Sequence, residues 1–217
     1  MMRKKFDCQL VEMHNKLVVM GELCEKAIAD AIAPLARRNE AMQNITLSDD
    51  AIDDKEREIE QQCMRLLMQQ QPVARDLREI SAALKMISDM ERIGDQACDI
   101  ADIVVHIVDI EPSVEEAHLR KMATETVKMV NESVDSFVTR DVELARKVIE
   151  YDEVVDNWFY DIKKELICKI VSDSENGGYY VDLLMIAKYL ERVGDHATNV
   201  AEWVEYSITG EHRKYKQ

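Results

Sequence analysis

The sequence predicts an all-α protein built as two tandem three-helix bundles, residues 1–111 and 112–217 of a 217-residue chain. Three observations predict it. Only 6 Gly and 3 Pro punctuate the chain, so turns are few and elements long. Apolar residues recur at three-four spacing in six successive stretches. The string Glu91–Asp102, E-R-I-G-D-Q-A-C-D-I-A-D, returns one hundred residues later as Glu191–Glu202, E-R-V-G-D-H-A-T-N-V-A-E. Six of the twelve positions are identical, which marks an internal repeat.

The first helix is expected over 6–36, with Phe6, Leu10, Met13, Leu17, Met20, Cys24, Ala27, Ala31 and Leu35 as its core stripe and Pro34 near its end. Asn39 is the expected N-cap of a second helix, with Ser48 and Asp49 as a second capping point. Its apolar positions are Ile52, Ile59, Cys63, Leu66 and Leu67, and it stops before Pro72. Pro72 fits the first turn of a third helix, 73–109, which Glu111-Pro112 closes. A fourth helix is expected over 113–139. Arg140-Asp141 then supplies the turn and N-cap of a fifth, continuing to about residue 171. Residues 172–178, S-D-S-E-N-G-G, read as a loop, and a sixth helix runs on to 208 with Gly210 as its stop.

Composition excludes several classes. The net charge of −15 argues against direct nucleic-acid binding, which needs clustered Lys and Arg, and favours cations or basic partners. The five cysteines are scattered and form no C-x-x-C, so they read as buried small apolar residues of a reducing cytosol. No apolar run approaches a membrane span, and the expected location is cytoplasmic. Phosphate-cradling and nucleophile-elbow motifs are absent, so no enzymatic activity is expected. Glu115-E-A-His118 has no mirrored partner, and a chance occurrence is the expected reading. His14, His106, His118 and His212 read as surface or satisfied positions.

The acids of the repeated string are patterned. Glu91, Asp95, Asp99 and Asp102 fall within about 80° of one another around a helix, as do Glu191, Asp195, Asn199 and Glu202. Asp50/Asp54 in the second helix and Asp152/Asp156 in the fifth each place two carboxylates one turn apart. Folding the second helix back on the third about Pro72 brings Asp54 level with Glu91 and Asp50 level with Asp95. The same operation about the 172–178 loop pairs Asp156 with Glu191 and Asp152 with Asp195. A lone pair of this kind is ordinarily a solvated face. Mirrored pairs in both repeats predict instead two sites for hard cations, because converging carboxylates repel unless neutralised. Arg92 and Arg192 are expected to pair with acids such as Asp53 and orient them, and His196 adjoins Asp195.

The doubled E-R-[IV]-G-D and D-x-x-x-D strings, with Q-P-V-A-R-D-L-R at 71–78 and L-L-M-I-A-K-Y-L-E-R at 183–192, resemble the PhoU family of phosphate-uptake regulators over essentially the whole chain. The resemblance implies a six-helix, two-bundle fold whose acidic pairs bind multinuclear metal clusters, of iron in some members. Divalent or trivalent ions are expected, and carboxylate oxygens also suit manganese, magnesium or zinc. It further implies a cytoplasmic negative regulator, peripheral to the inner face of the membrane through its partners. Those partners are a phosphate ABC transporter and a phosphate-sensing histidine kinase, and a homodimer is expected. The alternative reading is a carboxylate-bridged metalloenzyme or metal store. Two departures separate the repeats: Gln96 stands where the second repeat keeps His196, and Asp99 stands against Asn199.

Overall fold

The computed structural model describes residues 2–35, 45–69, 73–107 and 114–211, nearly all of them helical and none in a strand. Six long helices follow in order: α1 (Met2–Ile32), α2 (Ile45–Gln69), α3 (Ala74–Ile107), α4 (Val114–Thr139), α5 (Val142–Ser172) and α6 (Gly177–Thr209). The expected caps at Asn39 and the Pro72 turn lie outside the described residues. At Ala33–Leu35 α1 tightens into a one-turn 3-10 segment that contains Pro34.

Each helix forms around its apolar stripe. In α1, Met13, Leu17, Met20, Cys24, Ala27 and Ala31 are all buried. Burying each of the larger side chains is worth about 1.5–3 kcal/mol. Helices α1, α2 and α3 pack on one another, as do α4, α5 and α6, and α1–α4 and α3–α6 contacts join the two sets. One continuous core therefore runs through both repeats. The α3–α6 pairing is the most extensive. It is antiparallel: Asp89 of α3 meets His196 and Asn199 of α6, while Arg78 lies beside Gly210.

The turns follow from single residues. Asp141 caps α5, its Oδ1 accepting from the Glu143 and Leu144 amides at 3.0 Å each. Arg140 before it takes φ +57°, a left-handed conformation that costs a non-glycine residue free energy. Gly210 ends α6 at φ +80°, where its lack of a Cβ removes that cost. The 172–178 stretch is tighter than a loop. Only Asp173 and a 3-10 turn, Ser174–Asn176, separate α5 from α6, and both glycines join the first turn of α6. Amides of a first turn lack helical partners in any case, so glycine costs least there.

Holding Arg140 in place is Glu79 of α3. Glu79 is buried, bonds His14 of α1 at 2.8 Å, and is ion-paired with Arg140. Burial alone would raise its pKa. The His14 hydrogen bond and the Arg140 and His14 charges outweigh burial and hold the carboxyl below the usual range. Three elements of the two repeats are thus tied by one carboxylate. His118 likewise bonds Glu165 at 2.8 Å, whereas His106 is exposed.

The cysteine expectation is corrected in part. Cys24 and Cys63 are buried, and burial pushes both thiols up to about 12. Cys8 and Cys168 are exposed, because each sits on the solvent side of its helix stripe. Cys98 is intermediate.

Candidate metal centre

Two acidic clusters form, one in the α5–α6 groove and one in the α2–α3 groove, and they differ. In the second repeat the pairing read from the sequence is reproduced. Close approach of α5 and α6 depends on Gly194: a Cβ there would lie 3.3 Å from Val155 and 3.5 Å from Asp152 Oδ1. That contact sets Asp152 level with the Gly194–Asp195 turn of α6, with Asp156 one turn on, beside Glu191. Desolvation, then the charges of Asp156, Asp195 and Glu191, push the Asp152 carboxyl up to about 6. Asp156 and Asp195 are raised for the same two reasons, burial first and then Glu191. Lys188 partly offsets the repulsion. Its ammonium bonds Glu191 and its charge lowers both Asp156 and Asp195. The sequence reading missed Lys188, although it stands three residues before Glu191 on the same face.

In the first repeat the α2 acids are not the expected ones. Asp54 is 75% exposed and paired with Arg57, and Asp50 is exposed as well. The α2 carboxylates whose charges bear on Glu91 are Glu56 and Asp53, alongside Asp95 of its own helix. Glu91 is raised, first by burial and then by Asp95, Glu56 and Asp53. Glu56 is raised too, by burial more than by Glu60 and Asp53, and accepts from the Ser88 hydroxyl at 3.3 Å. The cause is rotation about the helix. Ile52 is fully buried, and Asp50 and Asp54 stand two residues either side of it, about 200° round. Asp53 and Glu56 lie about 100° and 40° round from it, both on the side where Glu56 meets Ser88 of α3. Asp49 shares the Asp53 face by spacing; its side chain lies outside the described residues.

The remaining predicted residues scatter. Asp99 and Asp102 are on exposed positions of α3. Asn199 turns to α3 instead of α5, donating to Asp89 Oδ1 at 3.2 Å, and His196 Nδ1 meets the same oxygen at 2.9 Å. Glu202 is half-buried. Both Arg92 and Arg192 are exposed. The guanidinium bound to Asp53 is that of Arg57, 3.0 Å away, and Arg92 acts on Glu91 through its charge.

Among the described residues, no group of three or more His, Cys, Asp or Glu side chains has its donor atoms converged as a metal ion would require. The residue types nonetheless fit a hard cation. Each groove offers carboxylates from two helices, some of them raised by burial and mutual repulsion, and a cation there would supply the missing counter-charge.

A duplicated helical bundle with an acidic groove in each half defines the class of protein. A family profile described as the PhoU domain matches residues 17–104 and again 119–204. The chain belongs to the PhoU family. It is 36% identical over 212 residues to the phosphate-specific transport system accessory protein PhoU homolog of Clostridium acetobutylicum, covering 97% of each chain. It is 33% identical over 209 residues to the homolog of Pseudomonas aeruginosa, covering 95% of this chain and 86% of that one. Among solved structures it resembles PhoU from Pseudomonas aeruginosa, with a TM-score of 0.89 at 33% identity, over 95% of this chain and all of that one. The phosphate transport system regulatory protein PhoU from Streptococcus pneumoniae is similar at a TM-score of 0.86 and 28% identity, over 96% and 99% of the two chains.

Proposed function

We propose that this protein is a regulator accessory to phosphate uptake that acts by protein contact and is tuned by metal ions in its two acidic grooves. The single observation that carries the first half is the end-to-end likeness to proteins named phosphate-specific transport system accessory protein. The grooves support the second half. We assign Asp152, Asp156, Glu191 and Asp195 to one metal site, and Asp53, Glu56, Glu91 and Asp95 to the other. A bound cation would neutralise carboxylates that otherwise repel one another, and so stiffen the α5–α6 and α2–α3 pairs. The ions that suit such oxygens are iron, manganese, magnesium or zinc. Asp89, held by His196 and Asn199, ties the two metal-bearing halves together across α3–α6.

In the cell this protein links the phosphate transporter to a phosphate-sensing histidine kinase and restrains the starvation response, as a cytoplasmic dimer. No described helix is long and apolar enough to cross a membrane. The reading involves no catalysis. A strain lacking the protein is expected to express its phosphate-starvation genes in ample phosphate, and a plasmid copy to restore repression. Unchanged expression in the deletion strain removes the regulatory reading.

A further inference from the structure

Near the start of α3, beside the end of α6, lies a cavity of about 350 Å³ lined by Leu67 of α2, Leu77, Arg78, Ser81 and Leu84 of α3, and Tyr206 of α6. Its one charged lining group is Arg78, in the string Q-P-V-A-R-D-L-R at 71–78 that neither acidic groove uses. In a chain with 43 acids against 28 Lys and Arg, a half-buried arginine ordinarily finds a partner. Arg140 and Arg146 pair with Glu79 and Glu205, and Arg120 donates to the Leu35 carbonyl. Arg78 is half-buried like them, yet among the described residues it has no acceptor, and its Nε–H is shut from water. The nearest acid in sequence, Asp76, is buried and accepts the Val73 amide at 3.3 Å instead.

The guanidinium is oriented. A Cβ at Gly210 would lie 3.5 Å from its Cζ and Nη1 and 3.6 Å from its Nε, and a point equally far from three atoms of a plane lies over the face of that plane. Arg78 therefore stacks flat on the Gly210 backbone. Only its Nε is shut from water, so the Nη edge stays open to a ligand. Packing does not require the residue. The repeat is offset by one hundred residues, so the counterpart of Arg78 is Gly178, where a Cβ would meet nothing within 4 Å. The second repeat makes its own helix–helix turn without an arginine.

We propose that this cavity binds a small organic anion, its carboxylate or phosphate group on the Nη1–Nη2 fork of Arg78 and its apolar body against Leu67, Leu77 and Leu84. Parallel N–H donors match two oxygens of such a group, and the anion supplies the counter-charge that Arg78 lacks. Three leucines around one cation is the composition of a small-molecule site, mostly apolar with a polar group that fixes orientation. Ser81 is exposed one turn on from Arg78 and offers a hydroxyl to one of the oxygens. Leu77 is 44% exposed, so the site opens to solvent. It is separate from the metal groove: Arg78 precedes Glu91 by 13 residues, about 20 Å along α3. A ligand here goes beyond the regulatory reading and does not depend on it.

The test is calorimetric titration of the full-length protein, kept metal-free so that no groove cation holds the anion. The probes are butyl phosphate, hexanoate, inorganic phosphate and, as the uncharged control, 1-butanol. At least one organic anion should bind saturably at one site per chain, with a dissociation constant of about 1 mM or below, and the tighter of the two identifies the head group. Inorganic phosphate has no apolar body and butanol no charge, so each should bind at least about tenfold more weakly. Arg78→Gln should weaken the organic anion at least about tenfold. Ser81→Asp should do the same, because its carboxylate would pair with Arg78 one turn away; the position is exposed, so helical circular dichroism should not change. Glu91→Gln/Asp95→Asn should bind the anion as the wild type does. No saturable binding of either organic anion overturns the proposal. So does affinity kept within about twofold in both Arg78→Gln and Ser81→Asp, or lost in the groove variant instead. Inorganic phosphate or butanol binding as tightly as the organic anions overturns it too.

Discussion

Asp152→Asn is expected to stabilise the metal-free protein at pH 7. Asp152 sits half-buried in the α5–α6 groove beside three further carboxylates, and its carboxyl is raised from 3.8 to about 6. Between those values the folded state holds a proton that the unfolded state has released. Stability therefore falls as pH rises through this window, and the full penalty is present above about pH 6. Two pH units correspond to about 3 kcal/mol at most, and water reaching the groove reduces this to about 1–2 kcal/mol. The amide keeps the shape and removes the charge, so a gain of that size should appear at pH 7 and vanish near pH 4. Saturating Mn²⁺ should reverse the order, because metal adds stability to the wild type by mass action and finds a weaker site in the variant. Thermal melts across pH 4–8 check this. Equal melting temperatures for the two proteins at pH 7 would mean that the groove acids are solvated and do not interact.

The opposite effect is expected at Glu79. Glu79→Ala removes the carboxylate that joins His14, Arg140 and α3, and leaves a left-handed Arg140 without its anchor. Breaking a buried ionic contact of this kind costs about 2–4 kcal/mol, less than a fully buried pair because Arg140 keeps some exposure. Melting should fall by roughly 5–10 °C. The sign of its pH dependence is also opposite to that of Asp152. The Glu79 pKa is lowered, so its contribution is present above the unfolded value near 4.5 and is lost as pH falls below it. Acid should therefore narrow the gap between wild type and variant. A gap that is the same at pH 4 and pH 7 would remove the ionic account of this contact.

How much of this was legible in the sequence depends on the range of the interaction. Helix identity and most ends were legible because the signals are local: the Asp141 cap, the Gly210 stop and the three-four stripes each act within a turn or two. The acidic pairing of α5 and α6 was legible because the internal repeat and a short turn fix their register. The α2 acids were misread by one residue. Asp49-x-x-x-Asp53 overlaps Asp50-x-x-x-Asp54, and one residue of register turns a side chain by about 100°. The buried Ile52 could have decided it, since Asp54 lies opposite that residue and Asp53 beside it. Glu79–Arg140 and Asp89–His196 span 61 and 107 residues and join different repeats. No periodicity within one helix reports such contacts. They arise from how α3 seats on α6 and on the α4–α5 turn.

The most direct measurement is a calorimetric titration of the metal-free protein with Mn²⁺. Wild type is compared with Glu91→Gln/Asp95→Asn and with Asp152→Asn/Glu191→Gln. Two grooves predict two sets of sites in the wild type, with each double variant losing the set of its own repeat and keeping the other. Identical stoichiometry in all three proteins, or no binding to the wild type, would contradict the assignment of the grooves as metal centres.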